Sequence, residues 1–292
     1  TLKRLKRFSC GFNHNLGGPM LLDMSAMPSL KAVFLSWNGL TGTVPNTIWD
    51  GPSSAFLDIS RNQLTGTIPS HKNSSFSTIA IVLLHNELTG TVPSEIFENA
   101  ELESFVAHGN FLTGTIPENV GNASNLRFLT LAENNLKGSI PESLGNLRNL
   151  WWLDLHTNHL TGTIQPGLGE NLDLMALHLS NNNLEGTFPT TFADKVSLRE
   201  LDVSMNDLTG SMNFLCDEGR EMVQFLASDC KGNNPQVKCD CCNFCCAEDD
   251  KDADCGLEYT SATSTTFIAE YCWTEGSTDV TCGGDPHIPG PF

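Results

Sequence analysis

Positive charge is scarce: 16 Lys and Arg stand against 34 Asp and Glu, a formal net charge of −18. A chain this acidic repels phosphate backbones and anionic lipid, which argues against nucleic acid and membrane surfaces as partners. The imbalance is uneven: residues 1–215 carry 12 basic and 19 acidic side chains, residues 216–292 only 4 and 15. Long apolar runs are also missing, and no stretch reaches the roughly 18 residues of a membrane-spanning helix. Cysteine is almost absent before residue 216, where Cys10 stands alone, yet ten of the eleven crowd into 216–292. The sequence does not begin with Met, and no signal peptide is visible in it. A processed or truncated chain is therefore expected, whose first coil lacks a polar cap and is covered by further residues or by a partner.

What is present is a period. Asn38, Asn62, Asn86, Asn110, Asn134, Asn158, Asn182 and Asn206 are each 24 residues apart. Each sits in the frame Leu-x-x-Leu-x-Leu-x-x-Asn-x-Leu-x-Gly-x-Ile-Pro, as in Leu126, Leu129, Leu131, Asn134, Leu136, Gly138, Ile140 and Pro141. A fixed period with this frame is a leucine-rich-repeat solenoid. The x-Leu-x-Leu-x segment alternates apolar and variable residues, so each coil supplies one half-buried strand that pairs in parallel with the next. The recurring Asn, polar at an inward site, is expected to satisfy buried backbone groups of adjacent coils. An irregular copy opens the chain at Leu5, Phe8, Cys10 and Asn13. Continuing the period past Asn206 lands on Cys230, which predicts a terminal strand in 221–230 with Met222, Phe225 and Ala227 inward. The fold class is an α/β repeat solenoid: a right-handed coil with a parallel concave sheet, a lateral second sheet and a disulfide-rich C-terminal cap. Two domains are expected, 1–230 as solenoid and 231–292 as Cys-rich acidic cap.

The Gly-x-Ile-Pro ending and the period resemble the plant-type extracellular leucine-rich repeat, as in receptor-kinase ectodomains and polygalacturonase inhibitors, over residues 5–230. Gln165 and Asn213 depart from the frame by replacing Pro. The resemblance implies that Thr-Gly-Thr forms the lateral strand. The fold hosts many binding roles, so it does not by itself assign one.

The tail Cys are Cys216, Cys230, Cys239, Cys241, Cys242, Cys245, Cys246, Cys255, Cys272 and Cys282. Such density in a short segment is the mark of a disulfide framework in an oxidising compartment. Adjacent Cys do not readily bridge one another, so each pair in the run 239–246 is expected to tie separate segments and seal the open end of the solenoid. Cys-x-x-Cys spacing within the run also suits a zinc thiolate site, but disulfides are preferred, and no metal or cofactor is expected. Cys10 is left as a buried thiol. Asn73-Ser74-Ser75 and Asn122-Ala123-Ser124 are glycosylation sequons in the segments that return behind the strands. Leu226 to Cys230 with the Cys run that follows resembles secreted leucine-rich-repeat proteins of diatoms and related algae. Secretion or a cell-surface location follows from Cys usage and sequons together.

Counting back from each Asn places the outward side chains of the concave face. Val82, Leu84 and Val106 form an apolar patch there, with His85, His108 and Phe128 nearby and Trp152 and His156 extending it. Phe34, Trp37 and His178 complete the candidate partner-binding set. An exposed apolar patch with aromatic borders marks an interaction site. Asp154, His178 and Asp202 stack on adjacent strands, where an imidazole between two carboxylates is expected to hold its proton more tightly. Ser180 and Ser204 lie alongside, but the face lacks an enclosing pocket and an oxyanion hole, so no hydrolase is expected. Thr41, Thr65, Thr89, Thr113, Thr161 and Thr209, with Thr43, Thr67, Thr91, Thr115, Thr163 and Thr187, form two lateral columns interrupted by Lys137 and Glu185. These columns resemble the surfaces of solenoid ice-binding proteins. Taken together, the chain reads as a secreted, non-enzymatic module that recognises a protein or glycan through its concave face. A structural subunit of a wall, coat or filament is the alternative, and ice or mineral binding through the Thr columns a minor one.

Overall fold

The computed structural model describes residues 3–50, 55–70, 78–194, 197–216, 223–230 and 236–246. Met222, Asn73, Cys255, Cys272 and Cys282 lie outside the described residues. The described chain falls within one compact unit, Thr1–Cys255.

Each 24-residue period makes one coil. Coil five runs from strand Phe128–Thr130 through strand Asn135–Ser139 to the 3-10 helix Glu142–Asn146. The first strand of every coil joins an 11-stranded parallel sheet and the second a 10-stranded one. The two sheets differ in register. Main-sheet partners are 24 residues apart, as in Phe128 with Trp152. Lateral partners are 22 apart, as in Thr43 with Thr65 and Thr67 with Thr89. The second Thr of one coil therefore lies beside the first Thr of the next, which shears the Thr columns.

Between the sheets lies a continuous core of stacked Leu, Ile and Phe, including Leu129, Leu131, Leu136, Ile140, Leu144 and Leu150. The Asn ladder behaves as expected. Asn134 Nδ2 donates to the carbonyls of Ala107, Leu131 and Ala132 at 3.0, 3.1 and 3.0 Å, and its Oδ1 accepts from Leu112 N at 2.9 Å. One side chain so closes its own turn and binds the preceding coil, and Asn62, Asn86, Asn110, Asn158 and Asn182 repeat the pattern.

At the far end the terminal strand is Phe225–Ser228, and it corrects the expected register by one residue. Leu226 pairs with Leu201, while Phe225 and Ala227 pair with Glu200 and Asp202 on the outward side. Leu226 is the residue that fills the core. Nor does Cys230 take the place of the ladder Asn: it bonds Cys245, and the Asp229 carboxylate accepts Met205 N at 2.7 Å and Asn206 N at 3.1 Å, bonds that one coil earlier go from Asn181 N and Asn182 N to backbone carbonyls.

The Cys run then adds a strand to each sheet, Val237–Lys238 beside Gly210 and Ser211, and Phe244–Cys245 beside Ala227 and Ser228. Cys216–Cys241 and Cys230–Cys245 tie the run to the last coils as expected. Cys239–Cys242 does not; it closes within the run, across the turn at Asp240 and Cys241 that brings the two Cα atoms to 5.5 Å. Cys246 is also disulfide-bonded. Asn213, the departure from Pro, now has a reason. Its Nδ2 donates to Asp240 Oδ2 at 2.6 Å and its Oδ1 accepts Asp240 N at 2.9 Å, two bonds a Pro would forfeit. Cys10 is a free, half-buried thiol against the core.

Candidate functional site

The outward residues of the main sheet are set by the pleat, two and four positions before each ladder Asn. The apolar patch expected to be exposed there is not. Val82, Leu84 and Val106 are 2%, 0% and 0% exposed. Each is flanked by the side chains of adjacent strands about 4.8 Å away, and Val82 has Asp58 on one side and Val106 on the other. Alternation told which way these residues point, not how closely the face packs. Phe128 and His108 are likewise buried, while Phe34 and Trp152 are half-buried. Val82, Leu84, Val106, His108 and Phe128 thus form the floor of the face.

The polar part of this floor is an ion cluster. His156 Nδ1 lies 2.6 Å from Asp154 Oδ1 and its Nε2 3.7 Å from Glu133 Oε1. Burial pulls the imidazole towards neutrality, but Asp154 and Glu133 together outweigh it and push the pKa up to about 10. His108, one coil away, moves the other way. Burial dominates and lowers it to about 4, although Asp154 and Glu133 pull upward. Burial, with help from Arg61, lowers His85 as well.

The stack expected around His178 is arranged differently. Asp154 bonds His156, Asp202 Oδ1 accepts from Ser204 Oγ at 2.7 Å, and His178 Nε2 sits 3.2 Å from Glu200. A side chain two residues along its own strand reaches Asp154 more directly than one on the neighbouring strand, so the hydrogen bond to Asp154 is made by His156. Ser204 serves to hold Asp202, as Ser60 holds Asp58 at 2.6 Å.

Exposure is concentrated at the two rims of this sheet. One rim is the residue directly before each ladder Asn. Phe12, Trp37, Arg61, His85, Glu133, Thr157, Asn181 and Met205 all take left-handed backbone, with φ between 51 and 60°. Sequence reasoning had no signal for this, except that Gly109 fills the same slot once with φ 65°. The slot is forced by the chain turning from strand to ladder, and each residue is held by a bond to the next coil, as in Trp37 N to Ser60 O at 3.1 Å. The rim side chains stack on one another. Phe12 and Trp37 lie nearly parallel with centroids 6.0 Å apart, and the Arg61 guanidinium covers the other side of Trp37 at 4.3 Å. Where Gly109 leaves a gap, His85 fills it: a Cβ at 109 would meet His85 Nδ1, and the His85 ring meets His108 edge-on.

The opposite rim repeats the device. Arg127 covers Trp151 at 4.8 Å and pairs with Glu103 at 3.7 Å. Side-chain exposure reaches 43% at Glu133 and 42% at Glu200. Trp37 and His85, two of the residues chosen from sequence, lie on a rim together with Phe12, Arg61, Arg127, Glu133 and Trp151, which were not chosen.

Other surfaces offer less. An apolar hollow of about 720 Å³ lined by Phe8, Leu16, Leu21, Met27 and Leu35 is the leucine core seen end-on at the first coil. The three sulfurs that approach one another, Cys216, Cys239 and Cys241, belong to two disulfides. On the lateral face the hydroxyls of Thr65, Thr89, Thr113 and Thr209 donate to a Gly carbonyl of the preceding coil, as Thr89 to Gly66 at 3.2 Å. Each second Thr packs its methyl over the next Gly, as Thr67 over Gly90.

Comparison with known proteins agrees with this architecture. Leucine-rich-repeat models match residues 100–160 and 173–194. Among curated proteins no sequence matches. Among solved structures, the crystal structure of a TDR receptor is similar at 31% identity and TM-score 0.62, over 67% of this chain and 34% of that one. The Arabidopsis receptor kinase HAESA ectodomain, in complex with an N-terminally extended IDA peptide hormone ligand, is similar at 29% identity and TM-score 0.66, over 70% and 34%. A plant ice-binding protein is similar at 26% identity and TM-score 0.64, over 80% and 76%. The chain thus spans about a third of the length of the two receptor ectodomains. Its repeats and its two parallel sheets make it a leucine-rich-repeat solenoid, similar in fold to plant receptor ectodomains.

Proposed function

We propose that this chain is an extracellular, non-enzymatic binding module that takes an extended peptide segment of a protein partner across its main sheet, gripped at the two rims. The observation that carries the reading is the pair of aromatic–guanidinium stacks, Phe12–Trp37–Arg61 and Trp151–Arg127, bordering a floor with a buried ion cluster. Rigid aromatic and Arg side chains already stacked lose little entropy on binding, and residues of these types dominate interface energetics. From Trp37 to Glu133 the rim crosses four coils, about 19 Å, the length of about six extended residues. Similarity to an ectodomain solved with a peptide hormone supports the choice of peptide. Disulfides support the location.

The test is selection of displayed peptides on the immobilised chain, followed by binding to Trp37→Ala/Trp151→Ala. Loss of two such anchors should weaken the selected peptides by at least about tenfold. Peptides that bind the variant as well as the parent would remove the rims from the account.

Ice binding through the Thr columns is the second reading, favoured by the similarity to a plant ice-binding protein. Four successive coils, from Thr41–Thr43 to Thr113–Thr115, keep both Thr. The sheared register and the committed hydroxyls and methyls count against it. Thermal hysteresis in the parent, abolished by Thr67→Lys with Thr91→Lys, would favour it over the peptide reading.

A further inference from the structure

We propose that Asn122 carries an N-linked glycan on the 3-10 helical side of the coils, away from both sheets. Asn122 is the last residue of the 3-10 helix Glu118–Asn122 and is exposed, as is Ser124 two residues on. Between them Ala123 is fully buried, so the sequon is pinned to the core by its middle residue with both functional side chains outside. Among the described residues nothing bonds the Asn122 side-chain amide. Three Asn on the same side of the coils are committed instead: Asn119 donates to Ser94 O, Asn149 to Ser124 O, and the buried Asn99 to Thr78 O. An exposed amide without a structural partner costs the fold nothing when it is substituted.

The next coil provides a control. Asn146 ends the helix Glu142–Asn146 in the same place, exposed, with Leu147 buried after it. Even the turn is shared: Ser124 N donates to Asn122 O at 2.9 Å and Arg148 N to Asn146 O at 3.0 Å. The two sites differ in the sequon's third residue, Ser124 against Arg148, and only the first is a sequon; the buried middle residues are Ala123 and Leu147.

The transfer is a simple displacement. Asn122 Nδ2 forms a bond to the anomeric carbon of a lipid-linked diphosphate oligosaccharide. The carbon–oxygen bond to the diphosphate breaks, the lipid diphosphate leaves with the electron pair, and the amide gives one proton to a base on the transferase. The glycan would close the helical side to partners and leave the two sheets open. This inference stands apart from the peptide reading, since it concerns another face.

The experiment is expression of the full chain through a eukaryotic secretory pathway, with peptide mapping before and after a glycan-removing amidase. Asn122 should carry glycan and become Asp on enzyme treatment, and Asn122→Gln should lose that glycan while remaining secreted and folded. Arg148→Thr should gain a glycan at Asn146. An unmodified Asn122 in secreted, folded protein overturns the assignment. A modified Asn122 with an unmodified Asn146 in the Arg148→Thr chain overturns its geometric basis.

Discussion

Replacing Asn134 with Ala probes the feature that makes separate coils one object. The side chain accepts Leu112 N and donates to three carbonyls in two coils. Its loss leaves a buried N–H without a partner, at about 1–3 kcal/mol, and weakens the solvation of carbonyls on both coils. A total near 3 kcal/mol is expected, against under about 0.5 kcal/mol for Asn135→Ala, which is next door but exposed. Urea denaturation reads the difference. With a slope of about 1–3 kcal/mol per molar, the midpoint should fall by about 1–3 M. Because a solenoid couples only neighbours, hydrogen exchange should quicken first at Leu112 and at the flanking coils. A midpoint change equal to that of Asn135→Ala would refute the ladder as the coil-to-coil fastener.

Stability should depend on pH through two histidines with opposite shifts. His156 is raised to about 10, so its contribution is complete below its unfolded value of 6.5 and is lost as pH rises from 6.5 towards 10. His108 is lowered to about 4, so stability is complete above 6.5 and falls as pH drops from 6.5 towards 4. Denaturation midpoints should therefore peak near neutrality, with each limb worth on the order of 3 kcal/mol. His156→Gln should flatten the alkaline limb alone, and an unchanged limb would contradict the ion cluster. Gly90 has φ 77°, and a Cβ there would sit 2.7 Å from Thr67 Cγ2. Gly90→Ala should cost about 2 kcal/mol, and Thr67→Ser should recover part of it in a double-mutant cycle; purely additive effects would deny the contact. Val82→Asp, which places a charge in a buried site, should cost several kcal/mol in thermal melts, whereas a harmless substitution would mean that the face is open.

Much of the fold was legible because the backbone's two needs recur in the sequence at one interval. The leucines repeat where the pleat points inward, and Asn repeats where buried amides lack partners. The end of the solenoid was misread because the period was extended to Cys230, when Leu226, 25 residues after Leu201, carried the apolar signal. The binding surface was less legible. Alternation separates inward from outward, and it marked Val82 and Val106 as outward without showing that neighbouring strands would enclose them. The rim was invisible for a different reason: left-handed backbone at Trp37 and Glu133 is imposed by the coil against local preference, so only Gly109 advertised it.

The most direct test of the account is oxidative footprinting of the chain with and without a selected peptide. Protection of Trp37 and Trp151 together, with the Thr67 and Thr91 strands unchanged, is the predicted result. Protection confined to the lateral strands, or no change at either Trp while the peptide is bound, would contradict it.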